Sequence, residues 1–271
     1  MIAAAPMNPP PRIASLVPSL TELVVALGLG PWLVARTGFC VHPREALLAV
    51  PKVGGTKDVN LAKLRRLAPT HVLVNVDENR LDTVQALREF VPEVMVTHPN
   101  APRDNLALLG QLEAAFGAIA GVADRAAALR RELDGELAAC AAVAWPERRV
   151  LYLIWREPWM TVARDTYIAQ MLAAVNWRTC PEQQGGEAGA ARYPVVEPGA
   201  TWLREVERVL LSSEPYPFTE AHVEMARSLV PAAEVQLIDA ELVSWYGPRA
   251  AAGLRYLRRL ASDCARTPWN C

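Results

Sequence analysis

Pro102-Arg103-Asp104-Asn105-Leu106, running on without a strand-like interruption to Ala141-Ala142-Val143, is the stretch whose reading decides the fold. Apolar residues fall at Leu106, Leu109, Leu112, Phe116, Ile119, Val122, Ala126, Leu129, Leu133, Leu137 and Cys140, in steps of three or four. That spacing is one continuous helical stripe. Asp124, Arg130, Arg131, Asp134 and Glu136 stand off it, so the segment is amphipathic and must lie against something. Pro102 suits a first turn and Pro146 stops the run. Gly117 and Gly121 weaken the middle, which predicts a helix to about Phe116 and a second from about Gly121 to Val143. At 1.5 Å per residue the second spans roughly 30 Å, the width of a small domain.

Working outward, both flanks alternate short strands with helices, the pattern of parallel sheets covered by helices. The expected fold class is therefore α/β, with two lobes joined by a single long backbone helix. Residues 1–101 form the first lobe, 102–146 the connection and 147–271 the second.

In the first lobe, Arg12 to Val17 has a buried-strand pattern ended by Pro18, and Ser19 with Glu22 reads as a capping box for a helix from Leu20 to Leu27. Trp32 to Thr37 is the second expected strand. It leads into Gly38-Phe39-Cys40-Val41-His42-Pro43, whose Cys-x-His pair supplies two ligand types that transition metals accept, or else an incidental thiol in a packed loop. Val53-Gly54-Gly55-Thr56-Lys57-Asp58 precedes a helix from Asn60 to Leu67 but lacks the spacing of a P-loop or dinucleotide fingerprint. His71 to Val76 and Val94 to Thr97 are further strands, with Asp77-Glu78-Asn79 and a helix from about Arg80 to Phe90 between them.

The second lobe restarts at Arg149 to Ile154 and enters Trp155-Arg156-Glu157-Pro158-Trp159-Met160. Two tryptophans bracketing a proline turn belong either to the core or to the wall of a ligand cleft. A helix from Tyr167 to Val175 and a flexible glycine-rich loop from Gln183 to Ala191 follow. The strand Val206 to Leu211 meets Ser212-Ser213-Glu214-Pro215-Tyr216-Pro217-Phe218, then a helix from Thr219 to Leu229. This strand, acidic turn and helix echo Val72 to Phe90, with Glu214 standing where Glu78 stands. Val235 to Ile238 is the last strand. Beyond it, Ser244-Trp245-Tyr246-Gly247-Pro248-Arg249 places an aromatic pair beside an arginine, able to stack on a large flat ligand or to pack into the core.

A net charge of -1 without a basic run argues against nucleic acid and anionic lipid as partners. There is no apolar run of 18 residues, so no membrane insertion is expected. Met1 to Pro11 is broken by Pro6, Pro9, Pro10 and Pro11 and does not read as a secretory signal. Cys40, Cys140, Cys180, Cys264 and Cys271 are an odd set without close pairing, which fits a reducing compartment. The expected location is the cytoplasm. No serine nucleophile elbow, HExxH, CxxC or paired carboxylates occur, so no enzyme is expected.

Arg12 to Glu22, the Val53 to Asp58 turn before Leu61-Ala62-Lys63-Leu64, the strand His71 to Val76, Trp155 to Met160 and Trp245 to Arg249 together resemble the cobalamin and iron-siderophore binding proteins of ABC importers. The resemblance covers nearly the whole chain. It implies a solute-binding protein, monomeric and without intrinsic cofactor, that grips cobalamin or a ferric chelate in a cleft and docks onto an ABC permease. It also implies a periplasmic location, against the absent signal. Glu78 and Glu214 would be the docking acids. By the resemblance Phe39, Trp159 and Trp245 would be aromatic cleft walls and Arg249 a polar anchor; read from their own turns, Cys40, His42, Lys57, Trp155 and Tyr246 complete the candidate ligand-binding set, with His42 able to reach cobalt, and an intracellular corrinoid handler or enzyme using Cys40 and His42 is the alternative.

Overall fold

The structure, a computed structural model, describes residues 10–266. Cys271 and most of the proline-broken N-terminal stretch therefore lie outside the described residues. The chain forms two compact units, the first holding residues up to His98 together with Phe116–Arg125, the second Pro99–Ala115 and everything from Ala126.

The first unit carries β1 (Ile13–Ser15), α1 (Pro18–Ala26), β2 (Leu33–Arg36), α2 (Arg44–Leu47), α3 (Leu61–Arg66), β3 (His71–Asn75), α4 (Leu81–Leu87) and β4 (Glu93–Thr97). Its strands make one parallel sheet in the order β2-β1-β3-β4. The strands are short, and the central β1 and β3 are almost wholly buried, as parallel strands covered on both faces must be, while the edge strand β4 is largely open. Ala14, Leu16, Ala35, Val53, Leu64, Val72, Val74 and Leu87 are enclosed in its core.

α5 (Asn105–Phe116) and α6 (Val122–Ala141) are the two helices in series that the apolar stripe predicted. The break between them is a left-handed turn at Gly121, with φ +81°. A Cβ there or at Gly28 would meet the Arg125 guanidinium at 2.6 Å, so both glycines make room for one arginine.

The second unit repeats the plan with β5 (Arg148–Leu153), α7 (Tyr167–Ala173), β6 (Trp177–Thr179), β7 (Arg208–Ser212), α8 (Val223–Leu229), β8 (Glu234–Ile238), α9 (Ala240–Ser244) and α10 (Arg249–Arg266). Its parallel sheet has the order β6-β5-β7-β8, the same winding as the first. The edge strand β6 is three residues long, too short for sequence alternation to reveal it.

The capping box expected at Ser19 and Glu22 does not form. α1 starts two residues earlier than expected, with Pro18 in its first turn and Val17 at the cap without a side-chain hydrogen bond. Proline is already built for a first turn, where its missing N–H costs nothing. The 183–191 loop is also more tied down than its glycines suggest. Asp165 accepts from the Gly185 and Gly186 amides at 2.8 Å each, and buried Arg192 donates to the Gly186 carbonyl at 2.7 Å and to Asn100 Oδ1 at 2.6 Å.

Candidate functional site

In an open parallel sheet the functional loops follow the carboxyl ends of the strands, and the favoured place is where the winding reverses. Here that is between β1 and β3 in the first unit and between β5 and β7 in the second.

On the first unit, β3 runs into the turn Val76–Asn79. Asn75 Oδ1 accepts from the amides of Asp77 (2.8 Å) and Glu78 (3.3 Å). Asn79 Oδ1 accepts from the Asn75 amide at 2.9 Å, while its Nδ2 donates to the carbonyls of Leu16 (3.3 Å) and Thr56 (2.9 Å). Two amide side chains thus bind three strand-end loops into one rigid rim, with Glu78 half-buried at its crest. Lys57 donates to the Asp77 carbonyl at 2.6 Å on the same rim.

The loop after β2 is held from within by Arg36, which is buried and donates to the carbonyls of Leu47, Thr37 and Cys40. Phe39 is pushed outward, 63% exposed, with its ring resting over Gly55, where a Cβ would stand 3.2 Å from Cε2. Gly54 has φ +105° and no space for a side chain, because a Cβ would fall 2.2 Å from the Asp58 carbonyl. The two glycines therefore serve as a seat for the Phe39 ring and a tight turn.

Cys40 is buried beneath its loop. Its thiol is enclosed, 3.1 Å from Thr37 Oγ1 and directed to the Ser15 carbonyl at 3.9 Å, and burial pushes its pKa up. A sealed, protonated thiol is neither a metal ligand nor a nucleophile. The Cys-x-His pair expected from the sequence is thereby divided, since His42 is half-buried on the outer part of the same loop. Among the described residues no three His, Cys, Asp or Glu side chains gather as a metal site.

The second unit presents aromatics in the corresponding place. Trp155 is 41% exposed and meets Tyr216 edge-on at 5.6 Å. Trp159 stacks on Phe218 at 5.9 Å with 6° between the planes. The His222 ring closes the group against Tyr216 and Phe218. So the two tryptophans differ: Trp155 is exposed, and Trp159 packs against the unit's core while lining an open groove of about 560 Å³ with Arg156, Val195 and Met225. Tyr216 and His222 are half-buried beside the buried Phe218, a group the sequence reading did not select.

Trp245 and Tyr246 are both buried. Tyr246 meets Tyr167 edge-on at 5.8 Å, and the Gly247 amide donates to Asn105 Oδ1 at 2.5 Å, which latches this turn to the start of α5. The Arg249 guanidinium lies 4.5 Å over the Trp245 ring and is ion-paired to Glu241. Glu214, expected to point outward, instead accepts from Trp245 Nε1 at 2.6 Å and from Ser244 Oγ at 2.9 Å. Burial raises its pKa against the lowering effect of those two donors.

A family model described as periplasmic binding protein matches residues 13–194 of this chain. The chain belongs to that family. Within it, the vitamin B12-binding protein of Vibrio vulnificus is 25% identical over 226 residues, covering 82% of this chain and 74% of the relative. The crystal structure of the periplasmic vitamin B12 binding protein of Vibrio cholerae superposes with a TM-score of 0.78 at 18% identity, over 95% of this chain and 99% of that one. The periplasmic heme-binding protein RhuT of Roseiflexus sp. RS-1 in apo form gives 0.75 at 20% identity, over 95% and 100%. These likenesses establish the two-lobed α/β fold, and the family's members are named as binding proteins.

Proposed function

We propose that this chain is the solute-binding component of an ABC importer and that its ligand is a corrinoid of the cobalamin class. The observation that carries the reading is chemical. Exposed or half-buried rings, Phe39 on one unit and Trp155 with Trp159 on the other, stand at the strand ends where such folds bind ligands. The cations there already have protein partners: Lys57 on the Asp77 carbonyl, Arg156 on Glu157 and Arg249 on Glu241. A polyanionic chelate needs spare positive charge, whereas a large, mostly neutral, flat ligand needs rings. The curated relative from Vibrio vulnificus supports the same class.

The role of a periplasmic binding protein favours a periplasmic location over the cytoplasmic one expected from the N-terminus. It also favours binding over catalysis, and the burial of Cys40 weighs against the pair of residues on which an enzyme reading rested. His42 is the residue to test against cobalt. Glu78, held at the crest of its rim, is the acid we assign to permease docking.

The experiment is a visible spectrum after incubation with cyanocobalamin and desalting. Retained corrinoid bands are expected, with Trp155 and Trp159 fluorescence quenched. A colourless protein that retains heme or a ferric siderophore in the same assay would replace the ligand class and leave the family role intact.

A further inference from the structure

Glu214 was expected to be a twin of Glu78, an acid on a matching turn that faces a protein partner. Its surroundings assign it other work. One carboxylate oxygen, Oε1, receives the Trp245 indole N–H at 2.6 Å and the Ser244 hydroxyl at 2.9 Å. On the flat side of the same indole lies the Arg249 guanidinium, itself ion-paired to Glu241. An indole has one polar atom and two faces, so a bond at Nε1 and a cation on a face together leave its ring little rotational freedom. A hydrogen bond to a charged acceptor is roughly twice as strong as one to a neutral acceptor, which makes the carboxylate an effective clamp.

We propose that Glu214 is a positioning residue: it orients the Trp245 indole against Arg249 and so sets the shape of the binding surface built on the second unit. This rests on the proposed ligand surface of the second unit, which the buried Trp245 would support from behind rather than face, and it replaces the docking role for Glu214. The clamp sits beside a hollow of about 590 Å³ lined by Ser213, Glu214, Phe218, Asp239 and Glu241. The groups facing Glu214 are Ser244, Trp245 and Glu241 on α9 and its end, Arg249 at the start of α10, the Tyr152 hydroxyl from β5, and Asp239 before α9. Glu241 repels its charge and Arg249 attracts it, so the clamp responds to protonation of Glu214.

The test uses the full chain labelled with nitrogen-15, whose eight tryptophans give separable indole N–H resonances. Trp245→Phe identifies the resonance of interest. Glu214→Ala is expected to shift it markedly, and Glu214→Gln, which keeps an acceptor oxygen, to hold it near its wild-type position while abolishing its pH dependence. A Trp245 resonance that is unmoved in Glu214→Ala and constant with pH in the wild type overturns the proposal. Cyanocobalamin titration follows, with about tenfold weaker binding expected for Glu214→Ala and recovery in Glu214→Gln. Unchanged affinity in Glu214→Ala, where the wild type binds, overturns the link from clamp to binding surface. If the wild type does not bind cyanocobalamin, the ligand reading fails while the resonance data still decide the positioning role.

Discussion

The two units wind their sheets identically, β2-β1-β3-β4 and β6-β5-β7-β8, and each places a glutamate on the turn that follows its third strand in sequence. They differ in what holds the turn. In the first unit the side chains of Asn75 and Asn79 grip the backbone of the turn. In the second, Ser212 Oγ donates to the Leu153 carbonyl at 2.7 Å and Ser213 Oγ accepts from the Ala240 amide at 2.9 Å, while the acid itself reaches across to Trp245. The same position in the same topology thus sits on a turn gripped by amide side chains in one unit and is itself a strut in the other. Topology places a residue, and its neighbours decide what it does.

The comparison breaks most visibly at Asn79. Replacing Asn79 by alanine orphans the Leu16 and Thr56 carbonyls and the Asn75 amide, and is expected to cost about 2–4 kcal/mol in urea unfolding. A loss below 1 kcal/mol would mean that the rim is held by something else. Glu214→Ala should cost about 1 kcal/mol, because a buried indole N–H loses its acceptor while a partly desolvated charge is relieved.

The pH response sharpens the contrast. Burial raises the Glu214 pKa above its ordinary value of 4.5, so the folded chain holds that proton more tightly than the unfolded chain does. The stability it contributes is therefore fully present below pH 4.5 and is lost as pH rises through the raised folded value. Wild type should lose stability relative to Glu214→Gln across that window, in melts run at a series of pH values; a difference that stays constant or grows in the opposite sense contradicts it. The smallest effect belongs to Glu78→Ala, which should change stability by no more than about 0.5 kcal/mol and leave cyanocobalamin binding unaltered. If it weakened ligand binding, Glu78 would be part of the ligand surface rather than a docking acid.

Strands, the broken helical stripe and the echo between Glu78 and Glu214 were legible because each is encoded within ten or so neighbouring residues. What escaped depends on distant partners. Glu214 turns inward because Trp245 lies 31 positions away, and no local pattern connects them. Cys40 is sealed by Thr37 beside it and by Ser15, 25 positions earlier. Tyr216 and Phe218 were read as turn residues, since only the fold brings Trp155 and Trp159 against them. Composition also misled at the 183–191 loop, where glycines signal freedom that Asp165 and Arg192 withdraw.

That last tether bears on how the chain meets a protease. A cutting enzyme must draw several consecutive residues into extended form, and exposed small-residue loops are its usual entry. Gly185 is enclosed, and the Gly186 amide and carbonyl are both engaged, so the first half of the loop resists being drawn out. Residues 187–191 remain exposed up to the buried Arg192. A brief digest with a protease of broad specificity should nick there first, and Arg192→Met should extend the accessible stretch back through Gly185.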